Sequence, residues 1–283
     1  MIDVELLSAG SRTLTYVGSV AVAGAMLFAA SFPRAADAIA PELRRQAVAG
    51  FALLLVAEPL RYLGFQLAVA EGDWALAFGP DMRWLGLQTP MGNAAGVRLI
   101  AAAVIVFVGL RVHALGLAAA LIMIGSFLLQ GHTVSGEPRL AVAALLLVHL
   151  AAVHWWLGAL LPLSFLTRRA DPRLAAATVA AFSARAVWVV VALLAAGIAL
   201  ALTLTGAELR PASPYQQRLL VKLVLVAAVL GIAARNKMRL VPLLKCDYAL
   251  GAAKLRASIR CEIAAALAVL TASAWLVGVP PDA

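Results

Sequence analysis

The chain has 283 residues, 64% hydrophobic and 13% charged, with a formal net charge of +9. So little charge cannot cover the surface of a soluble domain of this length, which excludes an ordinary soluble globular protein. Its basic residues are not interleaved with aromatics as a nucleic-acid surface requires, so nucleic acid is excluded as a partner. The positive excess is read instead as a topology signal in a lipid bilayer.

A bilayer core takes spans of roughly 17 to 25 apolar residues. Eight such stretches follow one another: Leu14–Phe32, Ala47–Ala70, Asn93–Leu110, Ala114–Gln130, Leu140–Leu166, Phe182–Thr205, Gln217–Ala233 and Ile259–Val279. The expected fold is therefore an all-α integral membrane protein with eight transmembrane helices. Met1 to Arg12 is mildly acidic and lacks a basic leader, so no cleavable signal peptide is expected.

Lysine and arginine are unevenly divided between the connections. One side holds Arg34, Arg44, Arg45, Arg111, Arg168, Arg169, Arg173, Arg185 and seven more between Arg235 and Arg260. The other holds only Arg12, Arg83, Arg139, Arg210 and Arg218. Cytoplasmic loops carry the excess. Both termini are therefore expected to be periplasmic if the membrane is a bacterial inner membrane. The longest connection, Ala234 to Ser258, is basic and can fold against the membrane surface.

A repeat is visible between Thr89-Pro90-Met91-Gly92 with Val97-Arg98-Leu99 and Ser213-Pro214-Tyr215-Gln216 with Val221-Lys222-Leu223. An even number of spans separates the two, so the halves are parallel rather than inverted. The chain then reads as one polytopic membrane domain with four-helix halves of about 12–132 and 138–280; chance similarity of two helix starts is the plainer alternative.

Chemistry in such a chain sits on polar residues within the spans, which are costly in lipid and usually face the protein interior. The fifth span holds His149 and His154 in a run containing Trp155 and Trp156. At about 1.5 Å per residue, His149 lies roughly 13 Å below the outer surface, near the middle of the hydrocarbon core. His154 lies roughly 7 Å deeper and is rotated by about 140°, so the two do not share a face. His132, in Gln130-Gly131-His132-Thr133, caps the outer end of the fourth span. Met123 falls near the depth of His149, Met26 near that of His154, and Met91 in an outer connection. On the inner side His113, Cys246 and Cys261 mark a possible cytoplasmic exit. Thioether and thiolate select cuprous copper and imidazole accepts several metals, so a descending Met, His and Cys series suits Cu(I). The plainer alternatives are packing for the methionines and a carbonyl-bonded core histidine, above all for His154.

Four charges are also buried: Glu58, Arg61, Arg98 and Lys222. Glu58 and Arg61 stand at ion-pair spacing on one helix, and that pair is the expected arrangement; a proton or metal carboxylate beside the backbone-loosening Pro59 is the alternative. Arg260 and Glu262 are expected to form an interfacial anchor. No P-loop, GxSxG, CxxC or HExxH motif occurs, so the chain is not expected to be an enzyme.

His149-Leu150 with Trp156-Leu157-Gly158 and Leu160-Leu161-Pro162-Leu163 resembles the hallmark helix of the bacterial copper resistance D (CopD/PcoD) family. Gly131-His132 resembles its outer histidine; Phe182-Ser183, Thr205-Gly206, Leu220-Val221-Lys222-Leu223, Ala234-Arg235-Asn236, Arg260, Glu262 and Pro280-Pro281 resemble its second half. The resemblance implies an eight-helix inner-membrane protein that moves or receives copper, with His132 and His149 as ligands and a separate periplasmic carrier of the CopC type as partner. His154 departs from the pattern. Copper uptake past His132 and His149 is the leading expectation. The alternatives are a b-type haem cytochrome and a non-transporting scaffold that delivers copper to a respiratory oxidase.

Overall fold

The computed structural model describes residues 4–130, 139–205 and 213–280, without the side chains of 83 and 85–87. Among these residues every regular element is helical. Helix α1 is Val4–Ser31 and is followed by the short α2, Pro33–Ala38. Helix α3 spans Ala40–Val69, and two small helices, α4 (Trp74–Ala77) and α5 (Pro80–Gln88), lead on to α6. Helix α6, Pro90–Val104, runs on into a π turn, Ile105–Gly109. Helix α7, His113–Gly125, ends in a 3-10 turn, Ser126–Leu129. The fifth expected span is two helices, α8 (Arg139–Gly158) and α9 (Leu160–Arg169), broken just before Pro162. Helix α10 is Pro172–Thr205. Helix α11, Pro214–Arg235, passes into a second π turn, Asn236–Leu240, and α12, Val241–Cys246. Helix α13 is Tyr248–Leu276.

Seven helical stretches are long and apolar enough to cross a membrane, and His113–Leu129 is a shorter apolar helix. This chain is a multi-pass membrane protein. Most of Ala234–Ser258, the basic connection, is helical: α11 continues through its π turn to Cys246, and α13 begins at Tyr248. The Lys and Arg side chains here ride on helix ends, which costs less than unpaired backbone near lipid.

Helix α1 is the hub and packs on α3, α6, α7, α8 and α13. Glycine lets it approach its neighbours closely. A Cβ on Gly24 would lie 2.3 Å from the Gly158 Cα, and one on Gly50 2.8 Å from the Gly18 carbonyl oxygen. Small residues at crossings are how membrane helices gain contact without a hydrophobic driving force between them. Gln46 ties the same crossing together, its Nε2 donating to the carbonyls of Ala21 and Gly158. Gly24→Ala should destabilise the fold by about 1–3 kcal/mol through overpacking at backbone atoms, measurable as a lowered melting temperature in detergent.

Helices α6 and α11, which carry the repeated sequence, start alike: Pro90 and Pro214 lie in their first turns behind Thr89 and Ser213. Both also pass into a π turn at the other end.

Candidate functional site

Two polar centres lie on opposite sides of α8, as the rotation between His149 and His154 requires. The first is built on α1, where Ser11, Thr15 and Ser19 form a buried stripe at helical spacing. His154, 2% exposed, has Nδ1 2.7 Å from the Leu150 carbonyl oxygen and Nε2 3.3 Å from Ser19 Oγ. A carbonyl only accepts, so Nδ1 carries the proton; Nε2 faces the Ser19 hydroxyl, whose single proton also has the Tyr16 carbonyl as an acceptor at 3.1 Å. Both ring nitrogens are thus engaged.

Beside it the buried charges pair differently from expectation. Glu58 Oε1 accepts from Arg98 Nη1 at 2.5 Å and from Thr15 Oγ1 at 3.2 Å. Arg61, the expected partner three residues along the helix, instead donates through Nη2 to Gln130 Oε1 at 2.6 Å. The correction follows from packing. Arg98 enters from α6, is fully buried and stacks over Phe127 at 4.2 Å from the ring centroid, and such a charge must meet a carboxylate in the core. Arg61, 9% exposed, turns to Gln130 past the end of α7, with its Nε and Nη1 unpartnered among the described residues. Lys222 does not join this group: it is half-buried on α11, within electrostatic range of His149.

The second centre is His149, half-buried between α8 and α10. Its Nδ1 lies 3.2 Å from the Leu193 carbonyl oxygen, and its ring packs on Gly197. Nδ1 therefore donates, and Nε2 keeps a free lone pair with no hydrogen bond among the described residues. A metal-binding imidazole is normally held in this way, one nitrogen tied to a carbonyl and the other presented to the ion. Two turns along the same face, Trp156 lines a partly open cavity of about 330 Å³ among α8 to α13. The cavity walls are apolar except where Ser183, Asn236, Lys237 and Glu262 meet.

Glu262 is 3% exposed and so is no interfacial anchor, although Arg260 beside it is exposed. Its Oε2 accepts from Asn236 Nδ2 at 2.9 Å, and Asn236 Oδ1 accepts from Ser258 Oγ at 2.5 Å. The Asn236 contact was not foreseen from sequence. Glu262, with Cys261 before it and Ile263 after it near the start of the last span, carries a sequence signal, whereas Asn236 stands between Arg235 and Lys237 and carries none.

The remaining candidate residues are dispersed. His132 lies outside the described residues. Met26 and Met123 are fully buried in the apolar core, Met26 against Gly116. Met91 offers its backbone carbonyl to Gln130 Nε2. His113 is exposed at the start of α7, and Cys246 and Cys261 are exposed free thiols. Among the described residues no three His, Cys, Asp or Glu side chains converge as a metal cluster.

Two family profiles match. The Copper resistance protein D-like N-terminal domain covers residues 1–140, and Copper resistance protein D covers residues 176–276. The stretch carrying His149 and His154 lies between the two matched regions. Compared with curated proteins and with solved structures, the chain finds no match. Together the two matches take in all but one helix region of a multi-pass helical bundle, and the chain belongs to the copper resistance protein D family.

Proposed function

We propose that this protein carries copper across the bacterial inner membrane, taking it from the periplasm towards the cytoplasm through the second half of the bundle, and that it is a carrier rather than an enzyme. Family membership supports copper as the cargo. The observation that carries the route is His149, whose Nδ1–H is tied to Leu193 while its Nε2 lone pair is left free, two turns along α8 from the Trp156 that lines the cavity. Imidazole binds Cu(I) well once the competing proton is placed elsewhere. The lysine and arginine asymmetry supports periplasmic termini and eight crossings, with His113–Leu129 as the fourth. A periplasmic carrier of the CopC type would then deliver copper at the outer end, near His132.

His154 has both nitrogens in use and serves α1 packing in this scheme. Because His149 faces α10 and His154 faces α1, the two cannot be the axial pair of one haem b, which needs imidazoles facing each other. The test is radioactive copper flux into proteoliposomes of the purified protein. Time-dependent uptake above protein-free vesicles supports transport. Binding without flux replaces it with a delivery scaffold, and a Soret band in the visible spectrum replaces it with a cytochrome.

A further inference from the structure

We propose that Glu262 is a proton-exchange site and that copper movement through the adjoining cavity is coupled to its protonation. The coupling rests on the transport reading above; the protonation does not.

Glu262 is a membrane-embedded carboxylate with no cation bonded to it among the described residues. Its one hydrogen bond comes from a neutral amide whose orientation is set by the next residue in the chain of contacts. Ser258 Oγ–H donates to Asn236 Oδ1, which turns Asn236 Nδ2 towards Glu262 Oε2. Oε1 receives no hydrogen bond among the described residues, and the side chain borders the cavity. Elements packed around it offer little charge. Helices α8, α9 and α12 present Trp156, Leu160, Leu163 and Val241. From the π turn, Lys237 lines the same cavity, but its Nζ donates to the Ser183 carbonyl. Arg235, Arg185, Lys245 and Arg260 are exposed, and Arg185 lies over the Phe32 ring.

A carboxylate so placed is costly as an anion, because burial of an uncompensated charge is among the largest penalties in a membrane interior. Taking a proton removes it. An O–H bond forms on Oε1 as one breaks in a hydronium ion from the aqueous phase, and release to inner water reverses the step. Asn236 can stay bonded to Oε2 throughout, so the fold need not change when the proton arrives. The π turn makes this possible, since it brings Asn236 into the core while Arg235 and Lys237 on either side remain exposed. Such insertions recur at functional sites.

Infrared difference spectra of the purified protein, recorded as pH is lowered, test the protonation without copper. The wild type should gain a protonated-carboxyl C=O band that is lost in Glu262→Gln and displaced in Glu262→Asp and Asn236→Leu. A band that persists unchanged in Glu262→Gln overturns the site. Circular dichroism of each variant shows that it is folded, and Glu262→Asp retains a titratable group if Glu262→Gln does not fold. In proteoliposomes, an imposed pH gradient should alter copper flux in the wild type but not in Glu262→Gln. Gradient-insensitive wild-type flux overturns the coupling. No flux at all overturns both the transport reading and the coupling, while the infrared result still decides the protonation.

Discussion

Replacing His149 by alanine should lower the protein's effect on cellular copper by about tenfold or more, while the protein remains in the membrane at its normal level. Losing even an outer partner of a metal ligand typically costs about 10- to 100-fold, so losing the ligand itself should cost at least as much. The fold should tolerate the change, because His149 is only half-buried and its one hydrogen bond goes to the carbonyl of Leu193 within a continuous helix. His154→Ala should behave in the opposite sense. It removes a buried ring bonded to Leu150 and Ser19, and should cost about 1–3 kcal/mol of stability with copper handling retained in the protein that folds. Copper content of cells by mass spectrometry, normalised to membrane-fraction immunoblots, separates the two. Full activity in the His149 variant would remove the centre of the transport proposal.

The largest loss of stability is expected from Glu58→Gln. It leaves the fully buried guanidinium of Arg98 without its carboxylate, and breaking a buried pair on one side costs about 3–5 kcal/mol. Nε and Nη2 of Arg98 already have no hydrogen-bond partner, so nothing else nearby is placed to take over the charge. Replacing both partners by apolar residues, Glu58→Leu with Arg98→Met, should recover much of the loss, since a buried ion pair is often matched by well-packed hydrophobic side chains. Arg61→Gln should cost far less, because Arg61 bonds the neutral Gln130 rather than Glu58. Melting temperatures in detergent decide the order. If Arg61→Gln costs as much as Glu58→Gln, the cross-helix pairing described here is wrong.

The pairing of Glu58 shows where sequence reading stops. Spacing along one helix makes Arg61 an available partner, and the choice is made by the packing of α6 on α3. Arg98 enters from α6 onto Glu58, while Arg61 turns to Gln130 just past the 3-10 turn that ends α7. The same limit applies to Glu262. Its neighbours Arg260 and Cys261 are exposed, and one residue further along the helix turns by about 100°, enough to move from the surface to the core. Which side of α13 faces inward depends on α1, α9, α11 and α12. The stripe Ser11, Thr15 and Ser19 went unread in the sequence, and only the packing of α1 joins it to Glu58 and His154.

By itself the sequence determined the membrane class, nearly all the helices and the angular separation of His149 from His154. These follow from apolar run length and helical rotation, which are local. Family membership was legible from motif order for the same reason. Only the tertiary structure decided that His154 is spent on α1 while His149 keeps a free nitrogen, that Glu58 belongs to Arg98, and that Asn236 and Glu262 line one cavity. Those are contacts between residues as far as 135 positions apart, set by helix packing that no local pattern encodes.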